Sequence, residues 1–318
     1  MIDQNLNLKL KEIFGNEYTA QVYFVLKKDN KYEIKLVDIE DKDEPELREM
    51  FSKEIIETII DNDELKISLL STADENPNAI YRYDYDEYPE ELNVFKSFNI
   101  NSAINYDKFN FEEDSLSSLF GYIIYLGSMY NGVCLFKKHY SISLIKQDSF
   151  LLGMKKDKER FVKLPAEDII RLNGKAELIK VDNTIYVMNI KTLEKNMGFT
   201  RLIKKEAMKS MELISDLNIV EDMQTLKDSM ENTTFVRKLS NIKNTSPIFK
   251  NHIDGSTIIE FTKEKNALKG KFKYTADGTR IILDTKKAKK DFLALMNDGF
   301  LMSELTNQYY EVTSKDNL

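Results

Sequence analysis

Thiol and imidazole groups are scarce in this 318-residue chain: Cys134 is its single cysteine, and His139 and His252 are its two histidines. One cysteine excludes an internal disulfide and any zinc site built from several thiolates. It fits a reduced, cytosolic setting. Two histidines leave imidazole-rich metal sites short of ligands. No apolar run approaches the roughly 18 residues that a membrane span needs. The opening segment MIDQNLNLKLKEIF lacks the basic-then-apolar layout of a secretory signal. A GxxxxGKS/T phosphate loop is missing, as is a GxGxxG after a strand. Internal repeats and low-complexity tracts are missing too.

What is present is a charge pattern. Hydrophobic residues make up 42% of the chain and charged residues 31%, which suits a soluble globular protein with a substantial core. Residues 1–110 hold 13 basic and 25 acidic side chains, net −12, and residues 111–318 hold 33 and 28, net +5. Such asymmetry suggests two units with different partners. A basic unit attracts polyanions that an acidic one repels. The plainer alternative is a fluctuation in solvated surface. The expected architecture is α+β, with an acidic N-terminal unit over 1–110 that contacts protein. A larger basic unit follows over 111–318, with antiparallel hairpins and a helical segment.

In the acidic third, YTAQVYFVLKK and KYEIKLVDI read as strands joined at Asp29-Asn30. A helix is expected over Glu44–Ile60, with Pro45 tolerated in its first turn. LKISLL and AIYRYDY read as a second strand pair, with Tyr81, Tyr83 and Tyr85 on one face. The polar stretch 101–117 marks the boundary. Beyond it, LFGYIIYLGSMY and NGVCLFKKHY form apolar strands turning at Asn131-Gly132. SFLLGMK, RFVKL, AELIKV and TIYVMNI continue as strands, and a mostly helical stretch spans about 191–253, interrupted at Pro247. STIIEFT, KGKFKYT and TRIILD read as strands, the last two turning at Asp277-Gly278. A helix from about Thr285 is expected to end near Gly299. The closing segment Phe300–Leu318 is too apolar for a solvated tail and is expected to pack on the body or on another chain.

Three basic clusters are candidate phosphate contacts. The first holds Lys155, Lys156, Lys158, Arg160 and Lys163. In the second, Lys269, Lys271 and Lys273 alternate, so a strand would place them on one face, opposite Phe272 and Tyr274. A polyanion would relieve their repulsion and release counterions. The alternative is an edge strand guarded by lysines. Arg280 follows, and then Lys286, Lys287, Lys289 and Lys290 at a helix start, where the dipole disfavours cations by a few tenths of a kcal/mol to roughly 1 kcal/mol. A bound phosphate would offset that penalty; the alternative is that these lysines extend into water. The acidic stretch DYDEYPEE, Asp84–Glu91, either docks a basic partner or solvates a loop.

Enzyme signals are weaker. Asp284-Thr285-Lys286 forms a D-x-K triplet at a strand end, a pattern of metal-dependent nucleases. This composition gives roughly seven or eight acid-x-base triplets by chance, and Asp284 also suits a helix N-cap. His139 has no evident acid partner for general-base work. His252 and Cys134 read as structural. No catalytic residue, metal or cofactor is assigned.

The segments LFGYIIYLG, LFKKHYSISLIK, IYVMNIKTLEKNMGF and LMNDGFLMSELTNQYYEVTSKDNL, spread over 119–318, resemble the KwaB family of the Kiwa anti-phage defence system. The resemblance implies a cytoplasmic DNA-binding effector that self-associates. It further implies work with a membrane-embedded partner, KwaA, and recruitment to the inner face of the membrane. It supplies no site residues, so the phosphate contacts rest on charge geometry: Lys155, Lys156, Lys158, Arg160, Lys269, Lys271, Lys273, Arg280, Lys286, Lys287 and Lys290. The alternatives are a metal-dependent nuclease and an adaptor that binds protein alone.

Overall fold

The computed structural model describes residues 2–29, 31–73, 78–100, 106–128, 131–140, 144–145, 154–157, 160–163, 169–265, 268–302 and 309–311. The chain begins with α1 (Ile2–Gly15), β1 (Thr19–Lys28), β2 (Lys31–Leu36), α2 (Glu44–Ile55), β3 (Lys66–Leu69), β4 (Ala79–Arg82) and α3 (Glu90–Ser97). Next are β5 (Leu119–Gly127), β6 (Gly132–Lys138), β7 (Leu144–Ile145), β8 (Met154–Asp157), β9 (Arg160–Lys163), β10 (Ile169–Ile170), β11 (Leu178–Val181) and β12 (Thr184–Val187). The helical stretch holds α4 (Ile190–Asn196), α5 (Phe199–Asp216), α6 (Gln224–Lys227), α7 (Thr233–Ser240), α8 (Ile242–Thr245), α9 (Pro247–Lys250) and α10 (Gly255–Glu264). Last come β13 (Lys273–Tyr274), β14 (Ile281–Ile282), α11 (Lys286–Met296), β15 (Phe300–Met302) and β16 (Tyr309–Glu311). The fold is α+β.

Two compact units interleave along the chain. One comprises residues 1–67 and 90–192, the other 68–89 and 193–318. The charge-based division at residue 110 is drawn elsewhere, since β1 before it pairs along its length with β5 after it. By unit, the first holds 30 acidic and 24 basic side chains and the second 23 and 22. The nets of −12 and +5 along the sequence become −6 and −1. The asymmetry belongs to chain order, not to either folded body.

The first unit is built on antiparallel strands in the order β2-β1-β5-β6-β11-β12. All nine residues of β5 are buried, which explains an unbroken apolar run where a half-exposed strand would alternate. The β1–β2 hairpin turns at Asp29, whose φ of 47° is left-handed. Between β5 and β6 the ring of Tyr125 lies where a Cβ on Gly132 would sit, 2.4 Å away, so only glycine fits there. Helix α1 buries Leu6, Leu10 and Ile13, one stripe at helical spacing. Phe51 and Ile55 of α2, with Ile59 in the π-helical turn that follows, form another.

In the second unit, α5 buries Leu202, Ile203, Ala207, Met211 and Ile214 and packs against α7, which buries Val236 and Leu239. Tyr81, Tyr83 and Tyr85 are all buried, although β4 ends at Arg82. Tyr83 stacks on Tyr88 at 4.6 Å, and Phe199 meets Tyr85 edge-on at 5.2 Å. Pro247 opens α9 after the extended Ser246, so the chain restarts there as a helix.

STIIEFT, expected as a strand, is helical within α10. Asp254 caps it by accepting the Thr257 N–H at 2.9 Å, and Ile258, Ile259 and Thr262 share a buried face. The cap and the 3–4 spacing outweigh the β-branched composition. The β13–β14 hairpin does turn at Asp277-Gly278, with Gly278 at φ +70°. Phe300 is buried and opens a β15–β16 hairpin. Leu305 and Val312 of the closing segment lie outside the described residues.

Candidate nucleic-acid interface

The candidate phosphate contacts fall in both units. Lys155 and Lys156 lie on β8 and Arg160 on β9, in a two-residue hairpin that pairs Asp157 with Arg160. Lys158 lies outside the described residues. This hairpin belongs to the first unit, whereas Lys269, Lys271, Lys273, Arg280, Lys286, Lys287 and Lys290 belong to the second.

The shared strand face expected for Lys269, Lys271 and Lys273 does not form. Residues 268–271 make a turn in which Gly270 takes φ +78°, and the strand begins only at Lys273. A left-handed glycine breaks the two-residue alternation that would align the three ammonium groups. Their surroundings then differ. Lys269 is exposed with no ion pair among the described residues. Lys271 turns toward the buried carboxylate of Asp291, 3.7 Å away, and over the Phe300 ring at 5.1 Å. Its charge serves α11 from within. Lys273 donates to Asp284 at 2.6 Å and holds that carboxyl below the usual carboxylate range.

That last contact brings β13 to the start of α11. Thr285, not Asp284, caps the helix, accepting the Ala288 N–H at 3.0 Å. Asp284 is thereby free for the lysine. Lys286 and Lys287 follow in the first turn, both exposed and without an ion pair among the described residues. Lys289 donates to Ser229 at 3.0 Å, and Lys290 is exposed one turn on. Arg280 is half-buried just after the hairpin turn, where Thr275 donates its N–H to the Arg280 carbonyl at 3.0 Å. The α11 start thus gathers Lys273, Lys286 and Lys287 beside the helix's first-turn amides, of which Thr285 takes that of Ala288. Its local field favours an anion.

The D-x-K triplet gains no metal-binding company: among the described residues no three His, Cys, Asp or Glu side chains cluster. Cys134 is buried, and burial pushes its thiol up to about 11. His139 is buried, and its pKa is lowered by that burial and then by Lys138.

Sequence reasoning missed two buried polar centres and the partner of a third. In the first unit, Lys180 is 6% exposed and donates to the carbonyls of Phe95 at 3.1 Å, Lys96 at 3.0 Å and Phe98. These are the orphan acceptors at the end of α3. Glu177, 3% exposed, accepts the Lys138 N–H at 2.8 Å and the Thr192 hydroxyl at 3.0 Å, with Lys137 at 3.4 Å. In the second unit, the acidic stretch docks on its own chain. Asp84 accepts from the Ser71 amide at 3.0 Å, Asp86 from Asn244 at 3.0 Å, and Glu87 pairs with Lys205 at 2.8 Å and Lys209 at 3.5 Å. The i, i+4 spacing of Arg201, Lys205 and Lys209 was the available signal.

Comparison with known proteins places this architecture. The protein described as Kiwa protein KwaB from Escherichia coli O55:H7 (strain RM12579 / EPEC) is 29% identical over 321 aligned positions, covering 100% of this chain and 99% of the relative. No solved structure matches. A family model described as Kiwa protein KwaB-like matches residues 116–306. With that match covering more than half of its 318 residues, the chain belongs to the Kiwa protein KwaB-like family.

Proposed function

We propose that this chain is an anti-phage defence effector that binds DNA through its phosphates with little sequence preference. The observation that carries the reading is the start of α11. Two exposed lysines without ion pairs among the described residues, Lys286 and Lys287, flank first-turn amides, with Lys273 held alongside by Asp284. Family membership supports the defence role. The effector acts in the cytoplasm with a membrane-embedded KwaA-like partner, which recruits it to the inner face of the membrane, and it self-associates. No helix among the described residues is long and apolar enough to cross a membrane.

Duplex DNA titrated at two salt concentrations tests the reading. Binding falls steeply with salt, and Lys286→Glu with Lys287→Glu weakens it at least tenfold at fixed salt. The same titration with Lys269→Glu measures the outlying turn. Lys271 is excluded from charge reversal because its loss strands Asp291. Unaltered binding in the Lys286/Lys287 variant removes the α11 assignment. Plasmid incubated with magnesium or manganese stays intact on this reading; cleavage abolished by Asp284→Asn would instead establish the nuclease alternative. A chain that shifts no DNA at low salt but captures its membrane partner would be the protein-only adaptor.

A further inference from the structure

We infer that α5 carries a second phosphate-binding surface that the chain keeps occupied with its own Glu87. The inference rests on the DNA-binding reading and adds a site and a mode of control to it. Along its outer face, α5 presents Arg201, Lys204, Lys205 and Lys209, with Met208 exposed among them. Glu206 within this stretch also pairs with Lys209, at 2.5 Å, and Glu231 pairs with Lys204 at 3.5 Å, so among the described residues Lys205 is the lysine whose ion pair is with Glu87 alone. Residues four apart stack on one side of a helix, which sets Lys205 and Lys209 as neighbours. A single carboxylate spans both: Glu87 meets Lys205 at 2.8 Å and Lys209 at 3.5 Å. It occupies the place a phosphodiester oxygen would take, and the two lysines hold its carboxyl below the usual range.

The construction around Glu87 is that of a tethered competitor. The root of the segment is fixed: Asp84 accepts from Ser71 and Asn241, and the Tyr85 hydroxyl lies 3.1 Å from the Ser240 hydroxyl. The Glu87 carbonyl accepts from the Tyr83 hydroxyl at 2.7 Å, so the backbone stays in place. The side chain is different, because it is about half exposed. Exposed ion pairs are weak and screened by salt. A DNA strand offering several phosphates at once displaces one carboxylate without unfolding the segment that carries it. Glu87 therefore sets a threshold: isolated anions meet a filled site, and a polyanion opens it.

Anisotropy titration of a short labelled duplex, with wild type, Glu87→Gln, Lys205→Gln/Lys209→Gln, and the three changes combined, tests this. Glu87→Gln is expected to tighten DNA binding about three- to tenfold and to steepen the salt dependence. The double lysine change weakens binding on the wild-type background, because DNA that displaces Glu87 contacts both lysines, and on the Glu87→Gln background it erases the gain. Thermal melting of each variant verifies folding. If wild type binds DNA and Glu87→Gln binds it equally well, the masked site is refuted while the DNA reading stands. If neither binds at low salt, both fall. If only Glu87→Gln binds, the mask is tighter than argued and both hold.

Discussion

Lysine serves opposite ends in the two units. In the first, Lys180 stands beside Cys134 in the sheet, almost fully buried, and spends its donors on three carbonyls of α3. Burial lowers its pKa. In the second, Lys286 and Lys287 stand in water at the start of α11, where the helix dipole opposes them. The first lysine is unavailable to any ligand; the other two have no other ion-pair partner among the described residues. Local charge density does not separate these cases, since Lys271 lies two residues from Lys269 yet faces a buried carboxylate. What separates them is whether the fold supplies an acceptor.

The strongest way to break the comparison is Lys180→Met. The substitution conserves bulk but removes the ammonium that donates to three carbonyls, two of them in buried contacts. Leaving such groups unsatisfied costs about 2–4 kcal/mol. Urea denaturation followed by circular dichroism reads the shift. A midpoint equal to wild type would mean that water reaches those carbonyls and that Lys180 is as dispensable as a surface lysine. Glu177→Gln sharpens the same point with a smaller effect. The amide keeps the shape but replaces one charged acceptor with a donor facing the Lys138 amide or the Thr192 hydroxyl, for about 1–3 kcal/mol.

Much of the fold was legible because local signals and burial agree there. Asp29 and Asp277-Gly278 turned where turn chemistry demands, and the uninterrupted apolar run of β5 marked a strand covered on both faces. Legibility failed where a cap or a glycine decided between alternatives of similar composition. STIIEFT is rich in strand formers, yet Asp254 starts a helix there. KGKFKYT alternates, yet Gly270 breaks the alternation at its second residue. The start of α11 was legible because Thr285 and the lysines are adjacent in sequence. The Glu87–Lys205 contact was not, because 118 positions separate its partners. Sequence order likewise suggested an acidic and a basic half, but the folded units interleave and their charges nearly even out.

Lys286→Gln with Lys287→Gln is the surface counterpart of Lys180→Met. Its stability effect is expected within about ±0.5 kcal/mol, as for exposed sites generally. Its effect on DNA is expected in the salt slope, reduced by about one for each phosphate-contacting lysine. A destabilisation matching that of Lys180→Met would show that these ammonium groups have hidden structural work. An unchanged slope would show that they point into solvent alone.

The smallest expected effect concerns the carboxylates that organise the second unit's turns. Asp254 is held at about 2 by hydrogen bonds from Ser256 and Thr257, and Asp277 at about 2 by bonds from Thr275 and Thr279, both down from 3.8. A carboxyl with a lowered folded pKa contributes stability that is complete above its unfolded value and is lost as pH falls through the folded one. Both contributions therefore disappear between pH 3.8 and about 2. Asn at either position keeps an acceptor oxygen but cannot titrate. Thermal melts of Asp254→Asn and Asp277→Asn are expected to track wild type at neutral pH and to fall less steeply across the acid window. Lys286→Gln/Lys287→Gln should leave that window as in wild type, since no acid pairs with those lysines among the described residues. An acid limb that flattens equally in the lysine variant would mean that the α11 start is coupled to a carboxylate, and its lysines would then belong with Lys180 rather than against it.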